Sequence, residues 1–157
     1  MKSRTAFLTA FTLLTATPAM AATCGGVLNP VLVVPTAVSF GLYQPGSSDT
    51  PANGSIAVSC TVTLGSALPT FTIAISSGNA HQFTPRQMSF LGTPLNYNLY
   101  TTGSFGQIWG DGTAPSVTQS YSAGAAQTTF TVYGLIPHGQ FVAPGLYSDG
   151  VTVTVTF

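Results

Sequence analysis

At the end of the chain apolar and hydroxyl residues alternate without a break, Val151, Val153, Val155 and Phe157 against Thr152, Thr154 and Thr156. A period of two places every apolar residue on one face of an extended strand and cannot serve a helix. The same period recurs in Ile56, Val58, Cys60 and Val62, in Phe71, Ile73 and Ile75, in Leu95, Tyr97 and Leu99, and in Phe130 and Val132. The interleaved residues are Ser, Thr, Asn and Ala, so each run has one apolar and one polar face, as half-buried antiparallel strands do. No stretch after residue 21 keeps the i, i+3, i+4, i+7 spacing of an amphipathic helix. Turns are expected at Pro45-Gly46, Asn53-Gly54, Gly78-Asn79, Asp111-Gly112 and Pro144-Gly145. Pro35 interrupts the run from Val31 to Phe40 and removes a ladder donor, which predicts an edge strand or one that bends between sheets. The stretch from Gly103 to Gln127 reads as long loops with one short strand. Six or seven short strands with this punctuation predict one all-β domain, an immunoglobulin-like β-sandwich.

The first 21 residues carry a different signature. Lys2 and Arg4 precede the uncharged stretch Ala6 to Ala16, Pro18 follows, and Ala19-Met20-Ala21 is an A-x-A cleavage site. That order is a secretory signal peptide, with an apolar part too short for a permanent transmembrane helix. The folded domain is then residues 22–157, not membrane-spanning. Two cysteines follow the cleavage site, Cys24 and Cys60, with no third to compete. In an oxidising compartment they are expected to form one disulfide, worth about 4 kcal/mol on the chain-entropy account.

Removing the leader also removes Lys2 and Arg4, leaving Arg86 as the one strong cation against Asp49, Asp111 and Asp149. No basic surface for nucleic acid or anionic lipid is left. Charged residues make up only 4% of the chain, against about 25% in ordinary soluble domains, while 45% are apolar. A surface so poor in charge suits a protein packed against partners or copies of itself.

Groups for catalysis are scarce. His81 and His138 sit in turn-like settings, the three aspartates offer no pair on one strand face, and no G-x-S-x-G elbow occurs. No G-x-G-x-x-G opens a helix, and the cysteines and histidines lack metal-ligand spacing. Neither a cofactor nor an enzyme is expected. Trp109-Gly110-Asp111-Gly112 reads as a tight turn with a packed indole, or alternatively as a sugar-stacking aromatic at which Trp109 contacts a ligand. In the last strand Tyr147 and Asp149 share the parity of Val151 to Phe157, so Asp149 should point inward. An inward carboxylate needs a partner, and Arg86 is the one available cation. The two are expected to form a structural ion pair, or both to bond to backbone there.

Taken together these residues resemble the spore coat protein U domain family, which includes subunits of archaic chaperone–usher pili. The resemblance runs through Cys24, Val38-Ser39-Phe40-Gly41 with Tyr43 and Pro45, Gly54 leading to Cys60, and Arg86-x-Met88. It continues through Leu95 to Tyr100, Trp109 to Gly112, Val132-Tyr133-Gly134, Ile136-Pro137 and Pro144-Gly145-x-Tyr147-x-Asp149, ending in Val151 to Phe157. It implies an incomplete, pilin-type sandwich lacking its final strand, exported to the periplasm and then to the cell surface. A periplasmic chaperone's strand, and then a neighbouring subunit's, would fill the groove beside the strand carrying Val151, Val153, Val155 and Phe157. An outer-membrane usher would handle assembly of the pilus or coat, with roles in adhesion or biofilm formation. Cleavage after Ala21 leaves Ala22 and Thr23 ahead of Cys24, against roughly 8–12 residues for a donor strand. The expectation is therefore an acceptor or tip-type subunit. The other reading is a carbohydrate- or surface-binding adhesin module.

Overall fold

The computed structural model describes residues 3–10, 22–23, 30–60, 70–122 and 127–157, with backbone alone for Ser3–Ala10, Ala22–Thr23 and Pro30. Ten strands are found and, among the described residues, no helix: β1 (Ser3–Ala10), β2 (Ala22–Thr23), β3 (Pro30–Thr36), β4 (Thr50–Cys60), β5 (Thr70–Ile75), β6 (Arg86–Phe90), β7 (Thr93–Tyr100), β8 (Gln119–Ser122), β9 (Gln127–Ile136) and β10 (Asp149–Thr156). They form a four-stranded sheet in the order β1-β10-β5-β8 and a six-stranded sheet in the order β2-β3-β4-β9-β7-β6. Every pairing between these strands is antiparallel.

The alternating runs become the two inner faces. Ile56 and Val58 on β4, Leu95, Tyr97 and Leu99 on β7, and Val132 on β9 are buried opposite Ile73 and Ile75 on β5 and Val151, Val153 and Val155 on β10. A fully buried side chain of this size contributes about 1.5–3 kcal/mol, so the period-two pattern is also the main source of stability. Trp109 fills the middle of the sandwich and reaches neither sheet through a strand of its own. Its backbone N–H donates to the Leu99 carbonyl at 2.9 Å, and the next carbonyl, of Gly110, accepts from the Ile75 N–H at 3.0 Å. The segment thus ties β7 of one sheet to β5 of the other.

Two expectations about local structure change. Asn53-Gly54 is no turn: it lies within β4, where Asn53 pairs with Tyr133 and Gly54 with Val132. Gly54 is needed for proximity, because a Cβ there would sit 2.6 Å from the Thr36 carbonyl oxygen and 2.9 Å from a Val38 methyl. The chain after β3 crosses close over that point. A turn not read from the sequence, Leu91-Gly92, joins β6 to β7, with φ of 49° and 82° as a type I′ turn requires. Pro35 lies in β3, paired on one side with Ile56; among the described residues β2 pairs with Pro30 and Val31, and the rest of β3 has no second strand beside it. One short strand, β8, occurs in the long stretch after Gly103. Val62 and Cys24 lie outside the described residues.

Candidate functional site

β10 lies between β5 and β1 in the four-stranded sheet. On one side it pairs with β5, from Val153↔Ile75 to Thr156↔Thr72. On the other it pairs with β1 along its whole length, from Ser3↔Thr156 to Ala10↔Asp149. The Thr152 N–H donates to Ser76 Oγ at 2.8 Å and its carbonyl accepts from the Ser76 N–H at 2.9 Å, both toward the β5 side. Backbone groups alternate sides along a strand, so the N–H groups of Val151, Val153 and Val155 turn toward β1. Their side chains are in the core, and Phe157 packs against Phe71 with ring centroids 5.6 Å apart. The expected strand-exchange residues Val151, Val153 and Val155 therefore turn their backbone toward β1 and their side chains inward, and Phe157 follows the end of β10.

Beneath the start of β10 lies a buried polar cluster. Asp149 is 3% exposed and takes one donor on each oxygen, from the Asn79 N–H at 2.8 Å and the Tyr97 hydroxyl at 2.7 Å. Gly78 precedes that amide with φ of 79°, and a Cβ there would strike the Asp149 carboxylate. Arg86 is 0% exposed. Its Nη2 donates to the carbonyls of Trp109 at 2.7 Å and Ser76 at 2.9 Å, its Nε to Ser76 at 3.1 Å, and its Nη1 to Asn98 Oδ1 at 2.6 Å. The guanidinium also lies 4.9 Å from the Phe83 ring centroid.

Arg86 and Asp149 are thus brought to one cluster, but a direct ion pair is not formed among the described residues. The planar guanidinium matches a fork of carbonyls, and the carboxylate is already satisfied by two neutral donors. Both bond to backbone, the second form of the expectation. Burial pushes the Arg86 guanidinium down to about 10, an effect the nearby Tyr97 and Asp149 oppose. Burial raises the Tyr97 hydroxyl well above its ordinary value, and the adjoining Asp149 carboxylate adds to the shift.

Sequence reasoning did not find Tyr97, Asn98, Ser76 or Asn79 as members of this cluster. Alternation with Tyr97 and Leu99 predicts an outward Asn98, yet it is 5% exposed, because its side chain bridges Arg86 and the Phe83 carbonyl. Trp109 is 0% exposed, and its Nε1 donates to the Ile73 carbonyl at 3.1 Å. The indole therefore packs in the core and offers no open face to a sugar. Cys60 closes β4 and is buried; its expected partner Cys24 lies outside the described residues.

The other titratable groups stand apart. The Asp49 carboxylate accepts the His138 backbone N–H at 2.9 Å and contacts the His138 ring at 2.6 Å, both side chains being exposed. Those hydrogen bonds hold the Asp49 carboxyl below the ordinary range. Among the described residues no three His, Cys, Asp or Glu side chains gather where they could hold a metal ion. Among the described residues no helix is long and apolar enough to cross a membrane.

Tyr97→Phe tests the cluster gently. Loss of the bond to Asp149 is expected to cost about 2 kcal/mol at neutral pH, read from denaturant unfolding. Because the folded-state value is raised, the hydroxyl's contribution is complete below its unfolded value near pH 10 and is lost as pH climbs through the folded one. The alkaline fall in stability should be shallower in Tyr97→Phe. An unchanged unfolding midpoint with an unchanged alkaline limb would remove Tyr97 from the cluster.

A family profile described as the Spore Coat Protein U domain matches residues 10–154. No curated protein sequence matches the chain. Among solved structures, a similar chain occurs in the CsuC–CsuE chaperone–tip adhesion subunit pre-assembly complex from archaic chaperone–usher Csu pili of Acinetobacter baumannii. The likeness is one of fold, with a TM-score of 0.56 at 20% identity over 83% of this chain. The chain spans 40% of the length of that solved chain.

Proposed function

The chain belongs to the spore coat protein U domain family, and from that premise we propose that it is an exported structural subunit of a chaperone–usher pilus or surface coat. It assembles by strand addition at the outer edge of β10. The observation that supports this reading is the pairing of that edge, along the whole of β10, with a segment that carries the signature of a removable leader. Cleavage after Ala21 takes β1 away. The edge then presents the N–H groups of Val151, Val153 and Val155 unpaired above an opened apolar groove, a hazard for aggregation. A periplasmic chaperone covers the edge with a strand of its own, and a neighbouring subunit replaces it at the outer-membrane usher. The subunit acts as an acceptor, because Ala22 and Thr23 ahead of Cys24 are too few to donate a strand. A tip-type position and a part in surface adhesion follow from that role. A Cys24–Cys60 disulfide anchors the start of the domain to β4 after export.

The role is structural rather than catalytic. Arg86 is committed to backbone carbonyls and Asn98, Asp149 to Tyr97 and the Asn79 N–H, and exposed His138 to Asp49. Co-expression with a periplasmic chaperone of the same assembly class tests the proposal. The complete domain should co-purify with the chaperone, and a chain lacking Val151 to Phe157 should not. Equal recovery of both would count against strand addition at β10.

A further inference from the structure

The register of β10 against its outer neighbour adds something more specific, resting on the strand-addition reading above. Opposite residues of an antiparallel pair project to the same face. The positions opposite Val153 and Val151, held by Ala6 and Leu8, therefore share the face of core residues and call for apolar residues, whereas Arg4 stands opposite Val155. The position opposite Asp149, which is Ala10 in the observed register, shares its face with a buried carboxylate instead. That carboxylate has both oxygens occupied, by the Asn79 N–H and the Tyr97 hydroxyl. It is also fixed from two directions. Asn79 belongs to the turn after β5 in one sheet, and Tyr97 to β7 in the other. The cation nearby cannot turn to serve a newcomer, since Arg86 is tied to the Ser76 and Trp109 carbonyls and to Asn98.

We infer that Asp149 is the specificity- and register-determining residue of the outer edge of β10. It closes the apolar run of the groove and admits a small neutral residue opposite it, while an acidic one is refused. The strand that fits is an extended segment of about eight residues, antiparallel to β10, with apolar residues at alternate positions and a small uncharged residue at the end opposite Asp149. A strand slipped by two residues would keep its apolar face inward but place an apolar side chain against the carboxylate. A residue that only stabilised the fold would make no such distinction among incoming strands.

The full-length chain carries its own test, because β1 occupies the edge in cis. The readout is the hydrogen-exchange protection of the Val151 amide, which faces β1. Ala10→Asp should lower that protection at least tenfold, since like charges placed together in a buried site repel strongly. Ala10→Asn, similar in size and uncharged, should lower it less than threefold. Thr9→Asp, opposite Gly150 and on the other face, should also be mild. In an Asp149→Asn background the penalty of Ala10→Asp should shrink to less than threefold. The inference is overturned if Ala10→Asp and Ala10→Asn act alike, if Thr9→Asp is as harmful as Ala10→Asp, or if the penalty survives in Asp149→Asn. Should Asp149→Asn fail to fold, the Asp, Asn and Thr9 comparisons still decide the matter. Were the Val151 amide unprotected in the unmodified chain, β1 would not occupy the edge and the inference drawn from its register would fall, whereas the strand-addition reading stands or falls by co-purification with the chaperone.

Discussion

Arg86→Ala is expected to yield no folded protein at ordinary temperature. The guanidinium makes its bonds inside the sandwich, to the carbonyls of Ser76 and Trp109 and to Asn98 Oδ1. Truncation removes the donor from the buried Trp109 carbonyl, two bonds from the part-buried Ser76 carbonyl, and one of the two donors of Asn98 Oδ1, which keeps the Leu99 N–H. An orphaned buried polar group costs about 1–3 kcal/mol, and breaking a buried charge network costs about 3–5 kcal/mol. A domain with about 5–15 kcal/mol of total stability cannot absorb that loss comfortably. Arg86→Lys should fall between, because an ammonium is a point donor that cannot reproduce the fork. Recovery and denaturant unfolding of the two variants give the answer. An Arg86→Ala protein within 1 kcal/mol of the unmodified chain would mean that the cluster does not organise the core.

The second large effect is expected from removing residues 1–21. Along β10 the full chain pairs eight residues with β1, from Thr156 to Asp149. A chain beginning at Ala22 loses that ladder and exposes the groove beneath it. Each net backbone hydrogen bond is worth about 1 kcal/mol, and the uncovered apolar faces of Val151, Val153 and Val155 add to the loss. Residues 22–157 alone should therefore unfold at a lower denaturant concentration than the full chain, or aggregate at micromolar concentration. Fusing the segment Ser3–Ala10 after Phe157 through a flexible linker should restore a stable monomer. A truncated chain as stable and monomeric as the full one would mean that β10 needs no outer partner.

Much of the fold was legible because alternation and burial are the same physical fact. Val151 to Phe157, Phe71 to Ile75 and Leu95 to Leu99 each gave strand, face and core membership at once. Asn53-Gly54 misled because a glycine needed for close approach of Thr36 and Val38 looks the same in sequence as one needed for a turn. Leu91-Gly92 was missed for the converse reason, since leucine seldom takes a positive φ. At the site, parity alone placed Asp149 inside, and Arg86 was found by elimination as its only possible cation. The partners of each were beyond such reasoning. Whether a buried carboxylate meets a guanidinium, or Tyr97 and the Asn79 amide, depends on which loop turns past it, and the Gly78 turn fixes that only in three dimensions.

Amide hydrogen exchange along β10 tests the central claim most directly, residue by residue, in residues 22–157 with and without the Ser3–Ala10 segment supplied as a peptide. Without a strand, the amides of Val151, Val153 and Val155 should exchange freely, while that of Thr152, bonded to Ser76 Oγ, stays protected. With the peptide, all of them should become protected together. Protection of Val151, Val153 and Val155 in the truncated monomer without any added strand would contradict the claim that this edge is built to receive one.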